Sequence, residues 1–169
     1  MGETVIQVSS LGKRIKGKTI LEDISFEINK GDCVALIGPN GAGKTVLMSC
    51  ILGDKKPSSG QVLIDGKAGK AKNKIAVLLQ ENTIPNSLKV EELIAFFQSI
   101  SDNPLTNQVV QDLLQFKEDQ YQQFADKLSG GQRRLLAFVL CLIDKPKILF
   151  LDEPTAGMDT STRQRFWEI

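Results

Sequence analysis

The sequence predicts an α/β fold with a mostly parallel core sheet, an antiparallel β subdomain and an inserted α-helical subdomain. Three observations carry this expectation. β-branched segments at 4–8 and 19–28 flank a turn-prone Lys16-Gly17-Lys18, as antiparallel strands do. Short, continuously apolar runs at 33–37 and 148–151 suit strands covered on both faces of a parallel sheet. Between residues 85 and 146 the apolar period becomes helical.

Taken in order, run 33–37 lies between Gly31 and Gly38 and should be a buried strand. A helix should follow the glycine-rich loop behind it, because Val46, Leu47, Cys50 and Ile51 recur at three-to-four spacing and Gly53 can close the helix ahead of Pro57. Residues 61–64 and 75–79 read as further strands, Asp65-Gly66 as a turn, and the lysine-rich stretch 67–74 as an exposed connection. In the helical insert, Val90, Leu93, Ile94 and Phe97 share one face and Leu105, Val109, Leu113 and Phe116 another. Pro104 suits a helix's first turn. Ser129 followed three residues later by Gln132 is a capping-box pattern opening a helix through Leu135, Leu136, Val139 and Leu140. After Pro146, run 148–151 ends at two carboxylates, Asp152 and Glu153, and residues 166–169 lie within a last helix.

Composition excludes several classes. An apolar fraction of 41% and a charged fraction of 24% over 169 residues are those of a folded protein with one substantial core, so disorder is not expected. With 21 basic and 20 acidic side chains the net charge is +1, which provides no field for nucleic acid, and no nucleic-acid partner is expected. The longest strongly apolar run, 135–143, falls far short of the roughly 20 residues that span a bilayer. The N-terminus lacks the basic-then-apolar pattern of a signal peptide, making the cytosol the default compartment. Cys33, Cys50 and Cys141 are odd in number, widely spaced and set among apolar neighbours, so they should be buried thiols without disulfide or metal roles.

Gly38-Pro39-Asn40-Gly41-Ala42-Gly43-Lys44-Thr45 fits the phosphate-loop pattern, with a strand expected before it and a helix after it. Its glycines let backbone N–H groups turn toward phosphate oxygens, the helix N-terminus adds partial positive charge, and Lys44 reaches the outer phosphates. Thr45 would ligate Mg²⁺, and Val46 completes the nucleotide-binding stretch. Asp152 would hold Mg²⁺ directly or through water, while Glu153 would accept a proton from the water attacking the γ-phosphate. Consecutive residues on a strand face opposite ways, so the two carboxylates should differ in role. Taken alone, the pair would read as a polar strand end, and Ser129 to Gln132 would read equally well as a helix cap or as a binding element.

The order of phosphate loop, Gln80, Leu128-Ser129-Gly130-Gly131-Gln132 and Leu151-Asp152-Glu153-Pro154 resembles the ATP-binding cassette of ABC transporters over nearly the whole chain. The pentapeptide discriminates, since phosphate loops and acidic strand ends occur across many NTPases. The resemblance implies a P-loop NTPase core at 1–84 and 147–169, a helical subdomain at 85–146 carrying the signature, and ATP with Mg²⁺ as ligands. It also implies a head-to-tail pair with a second cassette, in which Ser129, Gly130, Gly131 and Gln132 contact the γ-phosphate held by the opposite cassette. Gln80 would sense Mg²⁺ or the attacking water and connect to a transmembrane partner. The chain would then sit at the inner face of the cell membrane through that partner.

Within the resemblance, Asp159 falls at the loop along the dimer seam, although Gly157 and Met158 depart from the commonest pattern there. Thr155-Ala156-Gly157-Met158-Asp159 and residues 163–167 look like the drug-exporter branch. Ile15 stands where the family stacks an aromatic ring on adenine, so apolar contact remains without π-stacking and GTP stays admissible. The chain contains no histidine, and the family's switch histidine lies on a later strand, so the cassette is expected to be C-terminally truncated with weak turnover. Two other functions fit part of the pattern: a soluble ABC-class ATPase acting on ribosomes or DNA, and a nucleotide-responsive binding module without hydrolysis.

Overall fold

The computed structural model describes residues 2–68, 75–79, 84–85 and 87–169. The chain divides into two compact units, Met1–Lys72 and Asn73–Ile169.

The first unit is built on an antiparallel sheet. β1 (Thr4–Ile15) and β2 (Lys18–Asn29) form a long hairpin whose final pair is Ile15 with Lys18. The two residues between them, Lys16 and Gly17, both have positive φ, 48° and 79°, as the tightest hairpin turn of the right twist demands. β3 (Ser59–Ile64) pairs with the other edge of β1, and β4 (Lys67–Ala68) pairs with β3 across the Asp65-Gly66 turn. The strand order is β2-β1-β3-β4. Residues 67–68 are therefore a short edge strand where the sequence predicts only a connection; the remainder of that stretch, 69–74, lies outside the described residues. α1 (Lys44–Ile51) buries Leu47, Cys50 and Ile51 and packs on β2, completing a small core with Ile6, Val8, Leu11, Leu21 and Ile64.

Run 33–37 is the main departure from expectation. It forms no strand, and Val34, Leu36 and Ile37 are 60%, 47% and 89% exposed. A strand inside a parallel sheet exists only through ladder hydrogen bonds from its neighbours. Among the described residues, every ladder of the first unit joins β1 to β4 with one another, and 33–37 receives none. Cys33 is exposed with it, against the expected buried thiol. Cys50 is buried and Cys141 half-buried, and burial raises both thiol pKa values, so neither is activated.

The second unit wraps helices around a two-stranded parallel ladder. β5 (Ile75–Leu78) runs beside β6 (Ile148–Leu151) in the register Ile75 to Ile148 through Leu78 to Leu151. Around it come α2 (Val90–Ser99), α3 (Asn107–Leu114), α4 (Glu118–Gln122), a 3-10 turn at Ala125–Lys127, α5 (Gly130–Leu142) and α6 (Thr160–Glu168). α3 begins at Asn107 because the Thr106 hydroxyl accepts from the Val109 N–H, so Pro104 precedes the helix and is not in its first turn. α5 is the axis of this core: Leu135, Leu136 and Val139 are fully buried, each contributing about 1.5–3 kcal/mol. Phe138 meets Phe166 of α6 at a ring-centroid distance of 4.1 Å, which docks the last helix. Among the described residues, no helix is long and apolar enough to cross a membrane.

Candidate functional site

Residues 38–45 form an exposed loop that turns into α1. Gly43 is the N-cap of α1 with φ 91°. A Cβ there would lie 2.9 Å from Leu21 Cδ2, so only glycine fits this close approach to β2. No side chain caps α1 and no acidic residue occupies its first turn, which leaves the helix N-terminus suited to an anion. Lys44 folds back over the loop, its Nζ donating to the carbonyls of Gly38 at 2.7 Å and Pro39 at 2.9 Å. The Ala42 N–H donates to the Pro39 carbonyl at 3.2 Å and closes the turn. Thr45 is exposed one residue on, Val46 is half-buried, and Ile15 ends β1 at 36% exposure. The loop thus fits a nucleotide phosphate, with a cation, a helix N-terminus and a hydroxyl in consecutive positions.

In the second unit, the expected capping box is present. Ser129 Oγ accepts from the Gln132 N–H at 3.2 Å, and Gln132 Oε1 accepts from the Ser129 N–H at 3.1 Å. Ser129 and Gly130 are exposed at the start of α5 while Gly131 is buried. A Cβ on Gly131 would lie 3.3 Å from Asp159 Oδ1, so the absence of a side chain lets the following loop approach. Ser129→Ala is expected to lower stability by about 1 kcal/mol, read as a lower urea midpoint of helical circular dichroism; an unchanged midpoint would mean that α5 does not depend on this cap.

Asp152 and Glu153 leave the end of β6. The Asp152 N–H still donates to the Leu78 carbonyl at 2.9 Å; Asp152 is half-buried and Glu153 exposed. Glu153 has φ 45°, a left-handed conformation for a residue with a side chain. Within the second unit, β6 pairs in parallel with β5. Gln80 lies outside the described residues. Among those described, no group of three or more histidine, cysteine, aspartate or glutamate side chains could hold a metal ion.

Asp159 caps α6, its carboxylate accepting from the N–H groups of Ser161 and Thr162 at 3.1 Å each and from their hydroxyls at 2.5 and 2.6 Å. The Ser161 and Thr162 bonds hold its carboxyl far below the usual carboxylate range. Arg134 is the residue that sequence reading missed. Only 7% exposed, it donates from Nε to the Pro154 carbonyl at 3.1 Å, from Nη2 to those of Asp152 and Glu153 at 2.7 and 3.1 Å, and from Nη1 to that of Leu79. Arg134, Phe138 and Cys141 recur at helical spacing, which places them on one face of α5, and Cys141 Sγ donates to the Val77 carbonyl of β5.

The architecture is that of a P-loop NTPase, mixed α/β with an antiparallel β subdomain and helices. The chain belongs to the ABC transporter ATP-binding family, whose sequence model, described as ABC transporter, matches residues 21–156. It is 36% identical over 164 residues to the spermidine/putrescine import ATP-binding protein PotA of Protochlamydia amoebophila, covering 92% of this chain and 44% of that protein. It is 33% identical over 175 residues to the Nod factor export ATP-binding protein I of Ralstonia nicotianae, covering 97% and 54%. The chain thus spans about half the length of these relatives, which include an import and an export ATPase. A solved ATP-binding subunit of an ABC transporter superposes with a TM-score of 0.82 at 25% identity, covering 98% of this chain and 72% of that one.

Proposed function

We propose that this chain is the ATP-binding and ATP-hydrolysing part of a membrane transporter, driven by head-to-tail pairing with a second cassette. The observation that carries the reading is the phosphate loop: a glycine-capped helix start with Lys44 folded over the loop carbonyls of Gly38 and Pro39. Membership of a family of transport ATPases supports it. In this reading residues 38–46 bind the ATP phosphates, Thr45 and Asp152 are Mg²⁺ ligands together with Gln80, and Glu153 accepts the proton of the attacking water. Ser129, Gly130, Gly131 and Gln132 receive the γ-phosphate held by the opposite cassette, using a hydroxyl and N–H groups at a helix start. Ile15 gives the base an apolar contact only, so discrimination between ATP and GTP rests on other groups.

The same reading assigns 1–84 and 147–169 to the ATPase core and 85–146 to the helical subdomain. It places the protein at the inner face of the cell membrane through a transmembrane partner. The sequence of residues 155–159 and 163–167 favours export, while the similar proteins named above work in both directions. Nucleotide-dependent association tests the mechanism. Full-length protein carrying Glu153→Gln is expected to sediment as a dimer with Mg-ATP and as a monomer with Mg-ADP; the same mass with both nucleotides would refute an ATP-gated pair.

A further inference from the structure

We propose that Arg134 is a positioning residue for Glu153: its guanidinium clamps the turn that carries Glu153 and ties that turn to the helix opened by Ser129. The inference rests on the reading of Glu153 as the proton acceptor. The β5–β6 ladder ends at the pair Leu78 and Leu151. Beyond that pair, the carbonyls of Leu79, Asp152, Glu153 and Pro154 all accept from the Arg134 guanidinium. Burial lowers the Arg134 pKa, with Asp152, Cys141 and Glu153 pulling it back up. A guanidinium stays charged in proteins whatever that shift, so the clamp is permanent.

What the clamp holds is strained. Glu153 sits at φ 45° and opens a turn closed by the Ala156 N–H on the Glu153 carbonyl at 3.1 Å, with Pro154 in its second position. Left-handed residues with side chains persist where their surroundings over-determine them. Here the Glu153 carbonyl accepts from both Arg134 and Ala156, and its two neighbours in sequence are bound by the same guanidinium. The Cα–Cβ direction of Glu153, and with it the reach of its carboxylate, follows from that backbone. Arg134 lies five residues after Ser129, and both belong to the α5 unit, Ser129 as its cap. Arg134 thus links the Glu153 turn directly to α5, beside the close approach of Gly131 to Met158 and Asp159.

Chemistry separates this from simple packing. The planar fork of arginine addresses several acceptors at once, whereas a lysine ammonium is a point donor and cannot span these four carbonyls. Arg134→Lys keeps the charge and most of the volume, and it is the deciding variant if Arg134→Met fails to fold. On full-length protein, Arg134→Lys is expected to lower kcat for Mg-ATP hydrolysis by roughly 10- to 100-fold, the size of effect that misplacing a reacting group produces. KM should be unchanged, because ATP is held by residues 38–46. Amide hydrogen exchange at Ala156 and Met158 should accelerate while exchange in α2 and α3 stays as in the parent.

Unchanged kcat together with unchanged exchange at Ala156 and Met158 would overturn the proposal. So would acceleration spread uniformly through residues 75–169, which is the outcome of a purely structural role. Glu153→Gln measured alongside separates the two claims. Rapid turnover by that variant would remove Glu153 as proton acceptor, whereas local acceleration of exchange in Arg134→Lys would still report the clamp.

Discussion

Glu153→Gln is expected to reduce ATP turnover of the full-length protein by at least ~100-fold, in line with the contribution of a positioned general base, while Mg-ATP remains bound. The substitution keeps the size of the side chain while removing its charge and its ability to take a proton. Glu153 is exposed at the end of β6, so the change touches no core contact and stability should hold. The neighbouring Asp152 is half-buried, and this unequal burial fits two carboxylates of different role. Turnover in the variant, followed as phosphate release, at a rate near that of the parent would remove Glu153 from the reaction.

Lys44→Ala is expected to weaken Mg-ATP binding by roughly 100-fold, because a charge-assisted hydrogen bond of up to about 3 kcal/mol is lost. Lys44 has three N–H donors and spends two on the carbonyls of Gly38 and Pro39. The substitution therefore also removes the tie that folds the loop over itself. Displacement of a fluorescent nucleotide measures the affinity, and an unchanged melting temperature separates lost binding from lost fold. Equal affinity in the two proteins would mean that the loop does not hold the outer phosphates.

Local rules made much of this architecture readable. Lys16-Gly17 and Asp65-Gly66 state two turns in their own residue types, and the two strands joined by the first, β1 and β2, lie where the β-branched residues are. The Ser129 and Gln132 capping box is equally local: both of its hydrogen bonds join residues three apart. Run 33–37 fails for the opposite reason. Its apolar side chains say that it needs cover, but a strand's partners are not written in the strand, and among the described residues none pairs with it. Arg134 shows the same limit at the site. Two consecutive arginines after a glycine pair read as surface charge, and only the fold reveals that one of them faces four carbonyls at the strand ends. In sequence, Asp159 is placed only at the dimer-seam loop, and the structure adds that it is the N-cap of α6, a role suited to an aspartate at a helix start.

Binding of a nucleoside triphosphate by residues 38–46 is measured by calorimetric titration of the chain with Mg-ATP. Saturable heat is expected at one nucleotide per chain, displaced by excess Mg-GTP because Ile15 offers the base no stacking surface. A titration that shows no saturable heat up to millimolar Mg-ATP, with the chain folded by circular dichroism, would contradict it.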